Sequence, residues 1–156
     1  MAETKTKYNS IKIELDGHTF DSKAEAKYYE HLKWLQESEE ILFFRLQPRY
    51  ELQESFRKDS KLHRKIEYVA DFEIHHLDGS IETIDVKGFE TTDFSIKRKL
   101  FEKKFPHKLT LLAFSKIDGG WTELDDLKKA RRQRKKAKAS LKEKSFNGVI
   151  NNVDKL

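Results

Sequence analysis

The chain contains no cysteine. Disulfides and thiolate metal sites are therefore excluded, and any metal must be held by oxygen or imidazole. No apolar run approaches the ~20 residues needed to span a bilayer. No N-terminal apolar stretch resembles a signal peptide, so a cytoplasmic protein without a membrane partner is expected. No zinc-finger spacing or obvious recognition helix offers a means of reading bases. Proline occurs only at Pro48 and Pro106; the first breaks an extended region and the second closes a helix. What the chain does hold is bulk for one core. Its 156 residues include eleven Phe, five Tyr and two Trp, with 37% hydrophobic and 38% charged residues, which fits a single polar domain.

The net charge is +5, and it is unevenly spread. Segment 128–144, "KKARRQRKKAKASLKEK", holds ten Lys or Arg and one Glu. The chain has 32 basic and 27 acidic residues in all, so 22 and 26 remain elsewhere. A mildly acidic globule with a basic arm results. Clustered Lys and Arg are the electrostatic footprint of a polyanion-binding protein, although a solvated helix face has the same composition.

Residues 1–9 read as a disordered start. "IKIELDGHTF" (11–20) reads as two short strands about Asp16-Gly17. A helix follows, capped by Ser22 with Glu25 three residues later, and with Tyr28, Leu32 and Leu35 as its apolar stripe. "ILFFRLQPRYEL" (41–52) is extended and broken at Pro48, and 57–65 is a polar, basic loop. A hairpin spans about 66–87. Residues 91–106 form a helix with Phe94, Phe101 and Phe105 on one face. "KLTLLAFSK" (108–116) is a buried strand, and a last helix begins near Thr122 as its cap, docked by Leu124 and Leu127. The order ββ-α-β-ββ-α-β-α predicts a mixed sheet with helices, an α/β or α+β fold. Residues 10–127 make one domain, and 128–156 a basic helix or tail, partly disordered.

The hairpin raises the functional question. Asp71 lies in "YVADF" and Asp85 and Lys87 in "IDVKG", where the pattern asks for core residues. A two-residue turn at Asp78-Gly79 pairs Leu77 with Ser80 and puts the two carboxylates on opposite faces. A three-residue loop, with Gly79 left-handed, pairs His76 with Ser80 and sets Asp71 against Asp85, with Lys87 further along the same face. Asp-Gly suits both turns. In the second register, two carboxylates a strand apart suit a hard divalent cation such as Mg²⁺, and an adjacent lysine can position a water or offset charge on a phosphate. Glu25, turned inward on its helix, is a candidate third carboxylate. Set against this, Glu25 also completes a capping box, and a lone Asp-x-Lys is more often an ordinary ion pair. Asp71 is harder to explain away, because an unpaired buried carboxylate is costly. Glu73 is a possible auxiliary on Asp71's face. His75 and His76 point to opposite faces and cannot share an ion, so both are read as structural.

These residues resemble the PD-(D/E)XK nuclease superfamily over about residues 20–116: Glu25 in "SKAEAKYY", Asp71 in "YVADF", Asp85-Val86-Lys87 in "IDVKG", then the "KRKLFEKKFP" helix and "LTLLAFSK" strand. More narrowly, the chain is similar to small phage and prophage nucleases, including Holliday-junction resolvases. It departs from them in having Ala70 rather than Pro before Asp71. The resemblance implies a restriction-endonuclease-like αβββαβ core, with a mixed central sheet flanked by helices. It implies Mg²⁺ or Mn²⁺ held by Glu25, Asp71, Asp85 and the backbone carbonyl of Val86, with Lys87 orienting water. Lys97, Arg98 and Lys99 would then meet phosphates near the cut.

Further phosphate contacts are expected from Lys61, Arg64 and Lys65 in the 57–65 segment and from Arg131, Arg132, Arg134, Lys135 and Lys136 in the arm. Such contacts grip DNA, branched or duplex, irrespective of sequence. The expected activity is thus a metal-dependent, structure-selective endonuclease of the resolvase kind. It would work as a homodimer, since a four-way junction has two-fold symmetry, in a bacterial cytoplasm and encoded by a phage or prophage. Another nuclease of the same fold (nicking, restriction-like or end-trimming) and a non-catalytic nucleic-acid-binding module are the alternatives.

Overall fold

The computed structural model describes residues 11–153, with side chains through 147; the expected disordered start at 1–9 lies outside the described residues. The first strands, β1 (Ile13–Leu15) and β2 (His18–Phe20), pair antiparallel about Asp16 and Gly17. Both turn residues have left-handed φ, 50° and 77°, as the tight hairpin turn with matching twist requires. Helix α1 (Lys23–Glu37) follows, capped by the Ser22 side chain, which accepts from the Glu25 amide. Ala26, Tyr28, Tyr29 and Leu32 are its buried residues.

A five-stranded sheet receives that helix on one face. Its strands are β3 (Phe43–Leu46), β8 (Phe72–His75), β9 (Ile81–Val86), β10 (Lys108–Ser115) and β11 (Gly120–Glu123), in the spatial order β11-β10-β9-β8-β3. The β9–β10 pair is parallel and the others are antiparallel. Helix α2 (Thr92–Lys104) makes the crossover between the parallel strands, the connection such a pair demands. Along the chain, α1-β3-β8-β9-α2-β10 is an αβββαβ succession within a mixed α+β fold.

Between β3 and β8 the chain leaves the sheet. Strands β4 (Arg49–Gln53) and β7 (Ile66–Val69) pair with each other, as do β5 (Phe56–Lys58) and β6 (Lys61–His63). The 57–65 segment is therefore a β-hairpin rather than a loop. It turns through Asp59 and Ser60, both left-handed at φ 50° and 62°. The expected hairpin over 66–87 is likewise two pieces: β7 belongs to this arm, and the strand joins the sheet only at Phe72. At the other end, Thr122 lies inside β11 and does not cap the last helix, which runs Leu124–Val153 as α3. Its hydroxyl instead donates to the carbonyl of Asp118.

Two cores result. Tyr28, Leu32, Phe72, Ile74 and Ile84 fill the α1 side. Tyr50, Tyr68, Phe94, Phe101, Leu109, Leu124 and Leu127 fill the other, beneath α2 and the start of α3. Among the described side chains of α3 only Leu124 and Leu127 are buried, and those beyond Arg134 are exposed. No helix among the described residues is long and apolar enough to cross a membrane.

Phe101 is fully buried and packs edge-on to Tyr50 and Tyr68. Its replacement by Ala is expected to cost about 3–5 kcal/mol of unfolding free energy in urea. Leu141→Ala, on the 66% exposed part of α3, should cost less than ~0.5 kcal/mol. Equal effects would contradict this division into core and projecting helix.

Candidate active site

The site starts from the turn at the tip of β8–β9. The His76 amide donates to the Ser80 carbonyl at 2.9 Å, and Gly79 has φ 85°, a conformation glycine adopts without steric cost. The ladder then pairs Phe72 with Ile84, Glu73 with Thr83, Ile74 with Glu82 and His75 with Ile81. This is the three-residue-loop register, and one step beyond its last pair Asp71 meets Asp85. The alternation of faces explains the choice. Phe72, Ile74 and Ile84 join the α1 core, and a one-residue slip would drive Thr83 and Asp85 into it instead.

Asp71 sits at the bend between β7 and β8. Its Oδ2 accepts the Val86 amide at 2.7 Å, so the side chain stands in for a missing ladder partner. Val86 is thus tied to the acidic cluster through its amide. Burial, then the neighbouring charges of Asp85 and Glu25, push the Asp71 carboxyl up to about 8, against the Val86 bond and Lys87. Asp85 is only 2% exposed. Its Oδ2 accepts from the Tyr68 hydroxyl, and its Oδ1 lies 2.9 Å from Lys87 Nζ. The Lys87 ammonium also stands 4.6 Å over the Phe94 ring.

Glu25 enters from the first turn of α1. The capping box is formed: Ser22 Oγ donates to Oε1 at 3.1 Å and the Asp21 amide to Oε2 at 3.1 Å. Even so, burial pushes this carboxyl up, and Asp85 adds to the effect. Capping and a functional role are therefore compatible: the box aims the carboxylate along the cleft floor. Glu25 and Asp71 both line a cleft of about 70 Å³ with His18, Thr19, Phe20 and Gln47, and Asp85 is not part of its lining.

The three carboxylates are an all-oxygen donor set whose mutual repulsion a hard divalent cation would relieve. Among the described residues no trio of His, Asp and Glu is closed to ligand distance; protein donors on Glu25 and Asp85 hold the carboxylates in their present places.

Behind the acidic face runs a hydrogen-bonded chain with no warning in the sequence. Tyr50 donates to Glu73, and its oxygen lies 2.8 Å from Thr83 Oγ1. His107 Nε2 also reaches Thr83, at 3.0 Å, and His75 Nε2 reaches Glu73 at 2.7 Å. Burial raises the Glu73 carboxyl, but the bonds from Tyr50 and His75 prevail and hold it below its ordinary range. Glu73 is thus engaged by protein donors and stands apart from the Asp71 cleft. His76, on the opposite face, lies 3.4 Å from Glu82. Tyr50 and Tyr68 come from the β4–β7 arm, so only long-range packing brings them here.

The cations expected at phosphates divide into two groups. Lys99, Lys61, Arg64, Arg131, Arg132, Lys135 and Lys136 are exposed. Arg98 lies 3.8 Å from Glu90 and 3.6 Å from Asp125, joining α2 to α3. Arg134 grips Asp118 through both its terminal nitrogens. Lys65 pairs with Glu67 at 2.6 Å, and Lys97 lies 3.9 Å from Asp93.

A carboxyl raised in the folded state holds its proton where the unfolded chain has lost it. Its contribution to stability is complete at low pH and disappears as pH rises through the folded value. In EDTA, Tm should therefore fall as pH rises from about 5 to about 8.5. Asp71→Asn, which keeps an acceptor for the Val86 amide, should flatten that fall. A parallel decline in both proteins would assign it to other groups.

No curated protein matches the chain. A family model, described as Protein of unknown function (DUF1064), matches residues 5–119. That span covers the acidic cluster, both helices around it and four strands of the five-stranded sheet, ending just before β11, and the chain belongs to this family.

Proposed function

We propose that the chain is a metal-dependent DNA endonuclease similar to the PD-(D/E)XK nucleases, cutting phosphodiester bonds in a structure-selective, resolvase-like way as a cytoplasmic homodimer of phage or prophage origin. The observation that carries this reading is the β8–β9 register: it aligns Asp71 with Asp85 and leaves Lys87 2.9 Å from Asp85, and the first turn of α1 brings Glu25 into the same charge cluster. Structural ion pairs seldom accumulate three carboxylates around one lysine, and perturbed acids gathered in a cleft are a mark of functional sites.

On this reading Glu25, Asp71 and Asp85 hold Mg²⁺ or Mn²⁺. When bound, such an ion supplies Lewis acidity at the phosphoryl oxygen and a more acidic water. The Val86 amide fixes one oxygen of Asp71, and Tyr68 fixes one of Asp85, so both carboxylates are pre-positioned. Lys87, 2.9 Å from Asp85, would hold the attacking water or offset charge on the phosphate. The exposed cations of α2 and α3 hold the backbone, with the salt dependence that phosphate contacts bring.

A second reading, a binding module without catalysis, draws support from Asp85, both of whose oxygens already have protein partners. The two separate on one assay. Labelled linear duplex, single strand, flap and four-way junction are incubated with Mg²⁺, Mn²⁺ or EDTA, using wild type and Asp85→Ala. Cation-dependent paired nicks in the junction are expected, falling at least ~10³-fold in the variant, while DNA binding is retained or strengthened by loss of a negative charge. Equal cutting of every substrate would point to a general nuclease of this fold. Salt-sensitive binding with no cutting under either metal would leave the binding module.

A further inference from the structure

Strands β5 and β6 contribute nothing to either core. All their residues except the half-buried His63 are exposed, on both faces of the pair. An isolated two-stranded hairpin is marginal in water, yet this one is built into a continuous arm. Past the bulge between Glu51 and Gln53 the pairing keeps one register to the turn: Gln53 with Ile66, Phe56 with His63, Lys58 with Lys61.

Its side chains set a local conflict. Lys58 and Lys61 stand directly opposite each other beside the turn, a like-charge arrangement that weakens a hairpin. Arg57 and Arg64 add to the same field, and Phe56 stacks on His63 with ring centroids 4.7 Å apart. Only Lys65 of the five cations is drawn into an ion pair, with Glu67, among the described residues. A sequence that breaks a local rule without internal compensation points to a functional surface, and an external polyanion would supply the compensation here.

The root of the arm is fixed at the acidic site. Tyr68 of β7 bonds to Asp85, and Tyr50 of β4 to Glu73 and Thr83. Seven residues separate Tyr68 from Lys61, so the tip lies at most about 23 Å out along the arm at ~3.3 Å per residue. That is about seven base pairs at ~3.4 Å each. Two strands ~4.8 Å apart with their side chains match the ~12 Å major groove of B-DNA, which admits a two-stranded ribbon, and exceed the ~6 Å minor groove.

We infer that the β5–β6 ribbon is a duplex-DNA clamp, seated in the major groove of the arm flanking the acidic site, with Lys58 and Lys61 on phosphates across that groove. The flanking position rests on the nuclease reading above; the duplex contact does not.

The test measures binding of a labelled linear duplex of about 30 base pairs, long enough to pass the tip on either side, in EDTA over a salt series. Wild type, Lys58→Ala/Lys61→Ala and Lys58→Arg/Lys61→Arg are compared, with Tm measured for each. The Ala pair should reduce the slope of log affinity against log salt by about two and weaken binding about ten-fold near 0.1 M salt. The Arg pair should restore both, and Tm should stay constant or rise in the Ala variant as the repulsion is removed. An unchanged slope in the Ala pair overturns the clamp, as does a wild type that binds only single strands or RNA, or no nucleic acid. Cleavage in Mg²⁺ is scored separately. A protein that cuts with an unaltered slope loses the clamp and keeps the nuclease reading, and one that binds through the ribbon without cutting does the reverse.

Discussion

At Asp71 the chain passes from the β4–β7 arm into the five-stranded sheet, and the bond from the Val86 amide to its carboxylate secures that passage. A strand changing partners leaves backbone groups without a ladder, and a buried unpaired amide is costly. Asp71 supplies the missing acceptor from its side chain, while its own carbonyl takes the Gln47 amide at 2.9 Å. The junction thus holds β8 in register with β9, holds β7 apart from both, and brings Tyr68 over Asp85. Moving this residue would disturb the sheet, the arm and the acidic cluster together.

That placement works against stability. Burial and two neighbouring carboxylates raise Asp71, and burial raises Glu25. The Val86 bond and Lys87 recover only part of the cost. The compensation lies elsewhere, in the aromatic cluster about Phe101 and in the α1 core about Leu32 and Phe72. Two well-packed cores on either face of one sheet are what allow the ends of its inner strands to carry groups that repel each other. Strain of this kind concentrates where a protein acts rather than where it merely folds.

Much of this was legible in the residues, and the exceptions share a cause. Asp16-Gly17 and the Ser22–Glu25 box specify local geometry through atoms a few residues apart, and both form as the spacing predicts. The Asp78-Gly79 turn admits two registers. The choice between them lies in which face of Phe72, Ile74 and Ile84 meets α1, a fact of tertiary packing. The β5–β6 ribbon escaped notice because the signal for a strand is a buried face and it has none. Strand β11 was hidden by Gly119-Gly120, which read as a loop leading directly into a helix. Tyr50 and Tyr68 sit in unremarkable extended segments, and the partners of their hydroxyls are set by an arm folding back across the sheet.

The charge distribution ties these parts to one constraint. Three carboxylates gathered at the ends of β8 and β9 and the start of α1 repel a phosphate, so on the proposed reading the site does not hold a nucleic acid by itself. On that reading a polyanion is gripped elsewhere and presented there. Exposed cations stand at the ribbon tip, on α2 at Lys99, Lys103 and Lys104 and along the projecting half of α3, while Arg98 and Arg134 are neutralised by Glu90, Asp125 and Asp118. Between surface charges more than ~10 Å apart, salt screens most of the attraction. Distant cations therefore neither collapse onto the acidic cluster nor quench it. On the proposed reading, separating grip from chemistry by the β4–β7 arm allows both fields to persist in one small domain. It also explains why the arm is rooted by hydroxyls on the acidic face rather than by a flexible linker: the distance between the two sites is then a property of the fold.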